Sequence, residues 1–226
     1  MKQIILAGLL AVSGLSAAQQ TKNFQTSAYD GVSVAGPYTV VLVKGKEGAI
    51  TANGEADDLA ALIVESEDGQ LKIRPEKGWK NKPRRNVTIT IPFEDLSTVK
   101  LAGSGSISSS DLISATSLNL ALSGSGSMDL KAKTDTLIAA VSGSGDLKLS
   151  GSANKIETNL SGSGEIHAFD LHSLIAEANI SGSGHCRVNC SQQLTARVSG
   201  SGDIEYKGNP EKEDTKVAGS GRVTKS

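Results

Sequence analysis

The stretch that decides the fold runs from Leu118 to Leu130 and reads LNLALSGSGSMDL. Apolar and polar residues alternate on both sides of a central Gly-Ser-Gly, which is the period-two pattern of β-strands. The same tripeptide occurs seven times, at steps of 18 to 21 residues. A period near twenty residues predicts a solenoid in which each repeat forms one coil. We therefore interpret Gly-Ser-Gly as a corner between two strands and not as a flexible linker.

Aligning the repeats on their first glycine separates inward from outward positions. Three columns are mostly apolar: the residues two and four positions before that glycine, and the residue two positions after the second glycine. Because side chains alternate between the two faces of a strand, we predict that these columns form the core. The columns are Leu101, Leu122, Val141, Leu160, Ile180, Val198 and Val217; then Val99, Leu120, Ala139, Thr158, Ala178, Ala196 and Thr215; then Ile107, Met128, Leu147, Ile166, Cys186, Ile204 and Val223.

Two glycines at every corner indicate that the backbone is crowded there. Corners of successive coils stack directly on one another, so we expect a positive φ at one of the two positions and no room for side chains. The predicted structural turn glycines are Gly103, Gly105, Gly124, Gly126, Gly143, Gly145, Gly162, Gly164, Gly182, Gly184, Gly200, Gly202, Gly219 and Gly221.

The predicted fold class is all-β, a single-domain parallel β-helix with coils of 18 to 21 residues. The winding is expected to be right-handed, which is the default for parallel crossovers. Residues 99–226 form the regular coils, and residues 19–98 form degenerate coils that cap the N-terminal edge against pairing with other chains.

Weaker copies of the pattern fill the predicted cap. Gly36 and Gly54 are 18 residues apart and are interpreted as two degenerate corners. Residues 57–62 predict a single helical turn, and residues 70–74 and 87–91 predict strands. Pro92 is expected to end the last of these strands, because proline lacks the N–H that a sheet ladder needs.

The first 18 residues have the form of a secretory signal: a positive charge at Lys2, an apolar stretch and small residues before Gln19. No cysteine lies at this cleavage site, so no lipid anchor is expected. The apolar stretch is too short to span a bilayer, and no later segment is long enough. The protein is therefore expected to be exported, to the periplasm or the exterior. A net charge of -1 and 3% aromatic residues exclude a nucleic-acid-binding surface.

Several segments together resemble a known family: Phe24, Tyr29–Leu42 (YDGVSVAGPYTVVL), Asp68–Ile73 (DGQLKI), Val87–Pro92 (VTITIP) and the Gly-Ser-Gly coils. They are similar to the "putative auto-transporter adhesin, head GIN domain" family, which is common in Bacteroidetes. The resemblance covers nearly all of the chain after the signal. It implies a fold like a parallel β-helix and an exported protein associated with the cell envelope, and it implies no catalytic residues.

One segment has a composition typical of recognition. A basic stretch surrounds the only tryptophan of the chain, and a loop of this kind could bind an acidic glycan or a lipid head group. The alternative, which we favour, is a solvated hairpin tip with the tryptophan folded onto the cap. The residues of this possible recognition loop are Lys77, Trp79, Lys80, Lys82, Arg84 and Arg85.

Cys186 and Cys190 are the only cysteines. Residues four apart on a straight strand lie about 13 Å apart, beyond disulfide reach, so a disulfide requires the chain to bend back at Cys190. Two free thiols, Cys186 in the core and Cys190 near the surface, fit the strand geometry better. A zinc site at His185 and Cys186 is disfavoured, because alternation points the two side chains in opposite directions.

Outward positions after the corners carry charge. Asp146 and Glu165 stack, which invites comparison with calcium-dependent β-helix polysaccharide lyases. The neighbouring column, however, alternates in sign and is typical of a solvated sheet face; its members are Asp129, Lys148, His167, Arg187 and Glu205.

We therefore predict a non-enzymatic, adhesin-like binding or structural module of the cell envelope, without catalytic residues, metal or cofactor. Its repetitive faces would contact glycan or another envelope protein. The alternative is a polysaccharide-acting β-helix lyase or hydrolase, which would need a groove flanked by long loops with converging carboxylates and a base. Oligomeric state is left open.

Overall fold

Strands account for most of the chain in the computed structural model, which describes residues 19–78 and 87–226. A short helix, α1 (Ala56–Ala60), lies between β4 and β5. The shorter strands are β1 (Gln20–Gln25), β2 (Gly31–Ala35), β3 (Thr39–Lys44), β4 (Ala49–Gly54), β5 (Leu62–Glu67), β6 (Gln70–Pro75), β7 (Thr88–Phe93) and β8 (Thr98–Gly103). The regular part consists of β9 (Ser106–Gly124), β10 (Ser127–Gly143), β11 (Asp146–Gly162), β12 (Glu165–Gly182), β13 (His185–Gly200), β14 (Asp203–Lys207), β15 (Lys212–Gly219) and β16 (Arg222–Lys225).

Consecutive long strands stack in parallel with the repeat in register. Gly124 lies opposite Gly143, Gly143 opposite Gly162, and the pairing continues through Gly182 to Gly200. Hydrogen bonds between strands therefore run parallel to the solenoid axis. Successive coils are about 4.8 Å apart along this axis. The predicted all-β, single-domain parallel β-helix is confirmed, with about 7 turns. Its right-handed winding stays a prediction.

The three predicted core columns point inward through the middle of the solenoid. From Leu101 to Val198, the residues two positions before the corner are at most 3% exposed. The aliphatic side chains of one coil pack on those of the next, so a chain with few aromatic residues still has one continuous core.

The last coil departs from this pattern. Val217 is 41% exposed and Thr215 is also exposed, although both occupy inward columns. Among the described strands, β15 pairs with β13 and β16 with β14, each on one side only. Inward positions of this coil have no further coil to pack against, so the prediction of a buried position is wrong for Val217.

At the N-terminal end the order of coils in space differs from their order in sequence. β2 pairs with both β6 and β8, and β3 pairs with both β7 and β9. The coil formed by β2 and β3 thus lies between two coils that follow it in the chain. Gly36 consequently stacks on the first regular corner, and its carbonyl accepts a hydrogen bond of 3.1 Å from the N–H of Gly105.

Two details predicted for this end are wrong. Gly54 is not a second corner: β4 runs antiparallel to its neighbours, and Gly54 lies opposite Gln20 of β1. Antiparallel strands close the stack here, which a further parallel coil could not do. Pro92 does not end β7 but lies within it and pairs with Val43 of β3. On the other side of β7, only the three residues Thr88 to Thr90 pair with β4, so Pro92 has no partner strand there. Its missing N–H therefore interrupts no ladder on that side.

The helical turn is confirmed as α1, although its span is slightly shorter than predicted. Leu59 is 3% exposed and belongs to the core. The predicted strands at 70–74 and 87–91 are confirmed as β6 and β7.

Candidate functional site

Every Gly-Ser-Gly corner repeats the same backbone geometry. The first glycine has a φ between +112° and +136° in all seven copies. The corner is also bonded to the one below it, since the N–H of Ser144 donates to the carbonyl of Gly124 at 2.9 Å and that of Asp146 to Gly126 at 3.0 Å. The serine between the glycines is exposed at each corner. The corners therefore form a close-packed spine with a row of hydroxyls on its outer side.

The possible recognition loop is placed only in part. Lys77 is exposed in the turn after β6. Trp79, Lys80, Lys82, Arg84 and Arg85 lie outside the described residues.

The outward face after the corners carries a network of charges that links successive coils. His167 lies between Glu165, with Nε2 to Oε2 at 2.6 Å, and Arg187, whose Nη1 is 2.8 Å from Nδ1. Arg187 Nε also donates to Glu205 at 3.3 Å, and Lys148 pairs with Asp129 at 3.4 Å. The predicted self-compensating column is confirmed by these pairs. Its carboxylates are engaged with cations, which is the arrangement of a solvated sheet face.

His185 and Cys186 point in opposite directions, as alternation predicts. His185 is exposed and lies 3.9 Å from Asp203, whereas Cys186 is 1% exposed. Within residues 19–78 and 87–226, no group of three or more His, Cys, Asp and Glu side chains is arranged to hold a metal ion.

Both cysteines are free and buried. The expectation that Cys190 lies near the surface is wrong, because its exposure is 0%. Cys190 lies within β13 and pairs with Ser173 of the preceding coil, and both residues are buried. Burial raises the pKa of Cys186 to about 11, opposed by a hydrogen bond with Thr158. Burial and the charge of Glu213 raise the pKa of Cys190 to about 11.

We expect neither thiol to react with an aromatic disulfide reagent in the native protein at pH 8, and both to react in urea. The thiolate is the reactive form, and burial disfavours it. In the folded protein both thiols keep their protons at pH values above about 8.5, which is the ordinary pKa of an exposed thiol. The resulting stability is present below that pH and is lost as the pH rises towards 11. Native protein that reacts as fast as unfolded protein at pH 8 would contradict this.

A long groove lies on the outward face before the corners and encloses about 610 Å³. Two stacked columns form its floor, the residues three positions and one position before the first glycine. The first column contains Ala121, Ala140, Asn159, Asn179, Arg197 and Lys216. The second contains Ser123, Ser142, Ser161, Ser181, Ser199 and Ala218.

Sequence reasoning missed this groove, although the signal was present. The aligned repeats contain a serine or alanine one position before every corner, and this column of small residues is the signal in the sequence. Small residues repeated along a sheet leave a channel where larger ones would fill it.

A second depression, of about 780 Å³, lies on the side of the solenoid that contains Ser114, Lys133 and Ser152, which we call the third face. Its lining mixes hydroxyl, amide and charged side chains with apolar ones, and Asn154 donates to Asp135 across adjacent coils at 2.8 Å. The groove before the corners is the more apolar of the two.

A family model described as "Putative auto-transporter adhesin, head GIN domain" matches residues 28–210. Crystal structures that share the fold include three from Bacteroides and Parabacteroides. A putative adhesin from Bacteroides fragilis NCTC 9343 is 23% identical with a TM-score of 0.84, and the match covers 93% of this chain and 98% of that one. A putative lipid binding protein from Parabacteroides distasonis ATCC 8503 is 26% identical with a TM-score of 0.75, with the same coverage. A putative adhesin from Parabacteroides merdae ATCC 43184 is 18% identical with a TM-score of 0.72, covering 93% and 97%. A search of curated proteins gave no match.

Proposed function

Since the chain belongs to the "putative auto-transporter adhesin, head GIN domain" family, we propose that it is an exported, non-enzymatic binding module of the cell envelope. It holds an elongated partner along the groove before the corners. The observation that carries this proposal is the groove itself, in which side chains repeat in register over six successive coils. A parallel sheet bonded along the solenoid axis holds these positions rigidly, so the partner meets a preformed surface.

Two observations support export, one from the sequence and one from the family. The sequence before Gln19 has the form of a signal, and the family description names an adhesin, which acts outside the cytoplasm. No helix of the described residues is long and apolar enough to cross a membrane. We propose a location in the periplasm or outside the cell.

The class of partner follows from the surface. The sequence favoured a glycan or another envelope protein, and the apolar character of the groove adds lipid. The Parabacteroides distasonis structure, described as a putative lipid binding protein, is 26% identical and has the same fold, which supports including that class. A polysaccharide-acting enzyme is the weaker reading, because the carboxylates at Glu165 and Glu205 are engaged by Arg187 and His167.

The proposal predicts that residues 19–226, immobilised on a solid support, retain a component of a bacterial envelope extract. Separate lipid, polysaccharide and protein fractions are passed over the wild type and over Ala140→Glu, which places a charged side chain on the groove floor. Retention should fall at least tenfold in Ala140→Glu, with Ser114→Glu on the third face as the matched control. Retention of nothing, or release of new reducing ends from the polysaccharide fraction, would contradict the proposal.

The basic loop remains a proposed second contact. A third variant in the same experiment, with Trp79, Arg84 and Arg85 changed to alanine, tests it. If the loop contributes, retention of an acidic partner weakens between 50 mM and 500 mM salt in the wild type, and that salt dependence is reduced in the variant. Equal salt dependence in both proteins would show that the loop is a solvated tip.

A further inference from the structure

We propose that the groove before the corners binds one long-chain fatty acid, with the hydrocarbon chain along Ala121 and Ala140 and the carboxylate at Lys216. The inference rests on the proposed function and names its ligand. Four features of the groove support it: its apolar floor, the hydrogen bonding of its amides, the net positive charge at one end, and its length and width.

The N-terminal part of the floor is apolar. Ala121 and Ala140 are partly exposed and offer methyl groups to solvent. The buried side chains of Leu122 and Val141 lie beneath them and also contribute to the lining. Water molecules over such a strip form few hydrogen bonds with the protein, so their displacement by a hydrocarbon chain is favourable.

The amides in the middle of the floor hydrogen-bond to their own neighbours. Asn179 Nδ2 donates to Asn159 Oδ1 at 3.1 Å, and Asn159 Nδ2 donates to Glu157 Oε1 at 3.0 Å. The first bond joins two coils and the second lies within one strand, and each pairs one N–H of an amide with a protein acceptor. A hydrocarbon chain over this part therefore covers amides that already have a partner in the protein.

The C-terminal end of the groove carries cationic side chains. Arg197 pairs with Asp214, and Glu177, beside the groove, pairs with Lys155 at 2.9 Å. Lys216 is exposed, and its charge adds to the hydrogen bond from Arg197 in lowering the pKa of Asp214. Two cations, Arg197 and Lys216, thus face the carboxylate of Asp214 and leave a net positive charge at this end. An anionic head group fits it, and a cationic one does not.

The dimensions fit one chain. From Ala121 to Lys216 the groove crosses five coil steps, or about 24 Å. A hydrocarbon core of about 30 Å holds two acyl chains end to end, so an extended single chain with its head group fits this length. The two columns of the floor are two residues apart along each strand, which separates them by about 6.8 Å. That width accommodates one chain and not a pair.

The test is a calorimetric titration of residues 19–226 with hexadecanoate, dodecanoate and hexadecyltrimethylammonium, each kept below its micelle concentration. Hexadecanoate should bind with one equivalent per chain. Dodecanoate should bind about tenfold more weakly, because its chain is four methylene groups shorter and therefore buries less apolar surface in the half-open groove. The cationic amphiphile of the same chain length should bind at least tenfold more weakly than hexadecanoate.

Matched variants locate the site. Ala140→Glu should weaken hexadecanoate binding at least tenfold, and Lys216→Gln should weaken it about threefold to tenfold. Lys100→Gln is the control, since Lys100 occupies the same column one coil before Ala121 but does not line the groove; it should change affinity by less than twofold. Thermal melting checks that each variant folds, and Ala121→Glu replaces Ala140→Glu if the latter does not.

Three outcomes would overturn the inference. They are no binding of hexadecanoate, an equal affinity for the cationic amphiphile, and equal effects of Lys216→Gln and Lys100→Gln on the affinity for hexadecanoate. If a polysaccharide or protein fraction is still retained in a manner that Ala140→Glu abolishes, the proposed function stands and only the fatty acid is wrong. If no fraction is retained and no amphiphile binds, both are wrong.

Discussion

Gly143→Val is expected to lower the free energy of unfolding by about 4 kcal/mol, the largest effect of any single substitution considered for the regular coils. Two costs add at this position. The φ of +119° is one that a β-branched residue rarely adopts. A Cβ there would also lie 2.5 Å from the carbonyl oxygen of Gly124, a backbone atom fixed by the ladder. Urea denaturation followed by circular dichroism measures the change.

Two further variants separate those costs. Gly78→Val has strain without crowding, because its φ is +88° and nothing lies within 4 Å of the added Cβ; it should cost about 1–2 kcal/mol. Gly145→Ala has crowding without positive φ, because its Cβ would lie 2.6 Å from Gly126 O. Its cost should exceed that of Gly78→Val. If Gly143→Val melts like the wild type, the corner is a flexible linker and the stacked register is wrong.

The second large effect is expected from Val141→Ala, which should destabilise the protein by about 2 kcal/mol. Val141 is 1% exposed, between Leu122 of the preceding coil and Leu160 of the following one. Removing two methyl groups there leaves a cavity that the stacked sheets cannot close.

Val217→Ala is the matched control, with the same residue type at the same position of the repeat. Because Val217 is 41% exposed, the substitution should cost less than about 1 kcal/mol. Equal costs for the two variants would mean that the last coil is covered in solution. Chemical denaturation of both proteins under identical conditions decides the matter.

The sequence by itself determined the coil. Period-two alternation specifies which face of each strand is buried, and the repeat length specifies how much chain forms one coil; both depend only on neighbours along the chain. The inward columns from Leu101 to Val198 and the positive φ of the first glycine of each corner follow from these local patterns. The family resemblance rests on the same residues and is confirmed.

Tertiary structure alone decided how coils are ordered and where the stack ends. The sequence cannot show that the coil containing Gly36 lies between two later coils, because strand pairing joins residues 67 positions apart, such as Ala35 and Ala102. Nor does alternation distinguish Val141 from Val217, whose exposures differ because only one has a coil on both sides. The groove is of the same kind: Ala140 and Lys216 become parts of one surface only when the coils are stacked. Local pattern fixes the direction in which a side chain points, and packing across coils fixes what it meets.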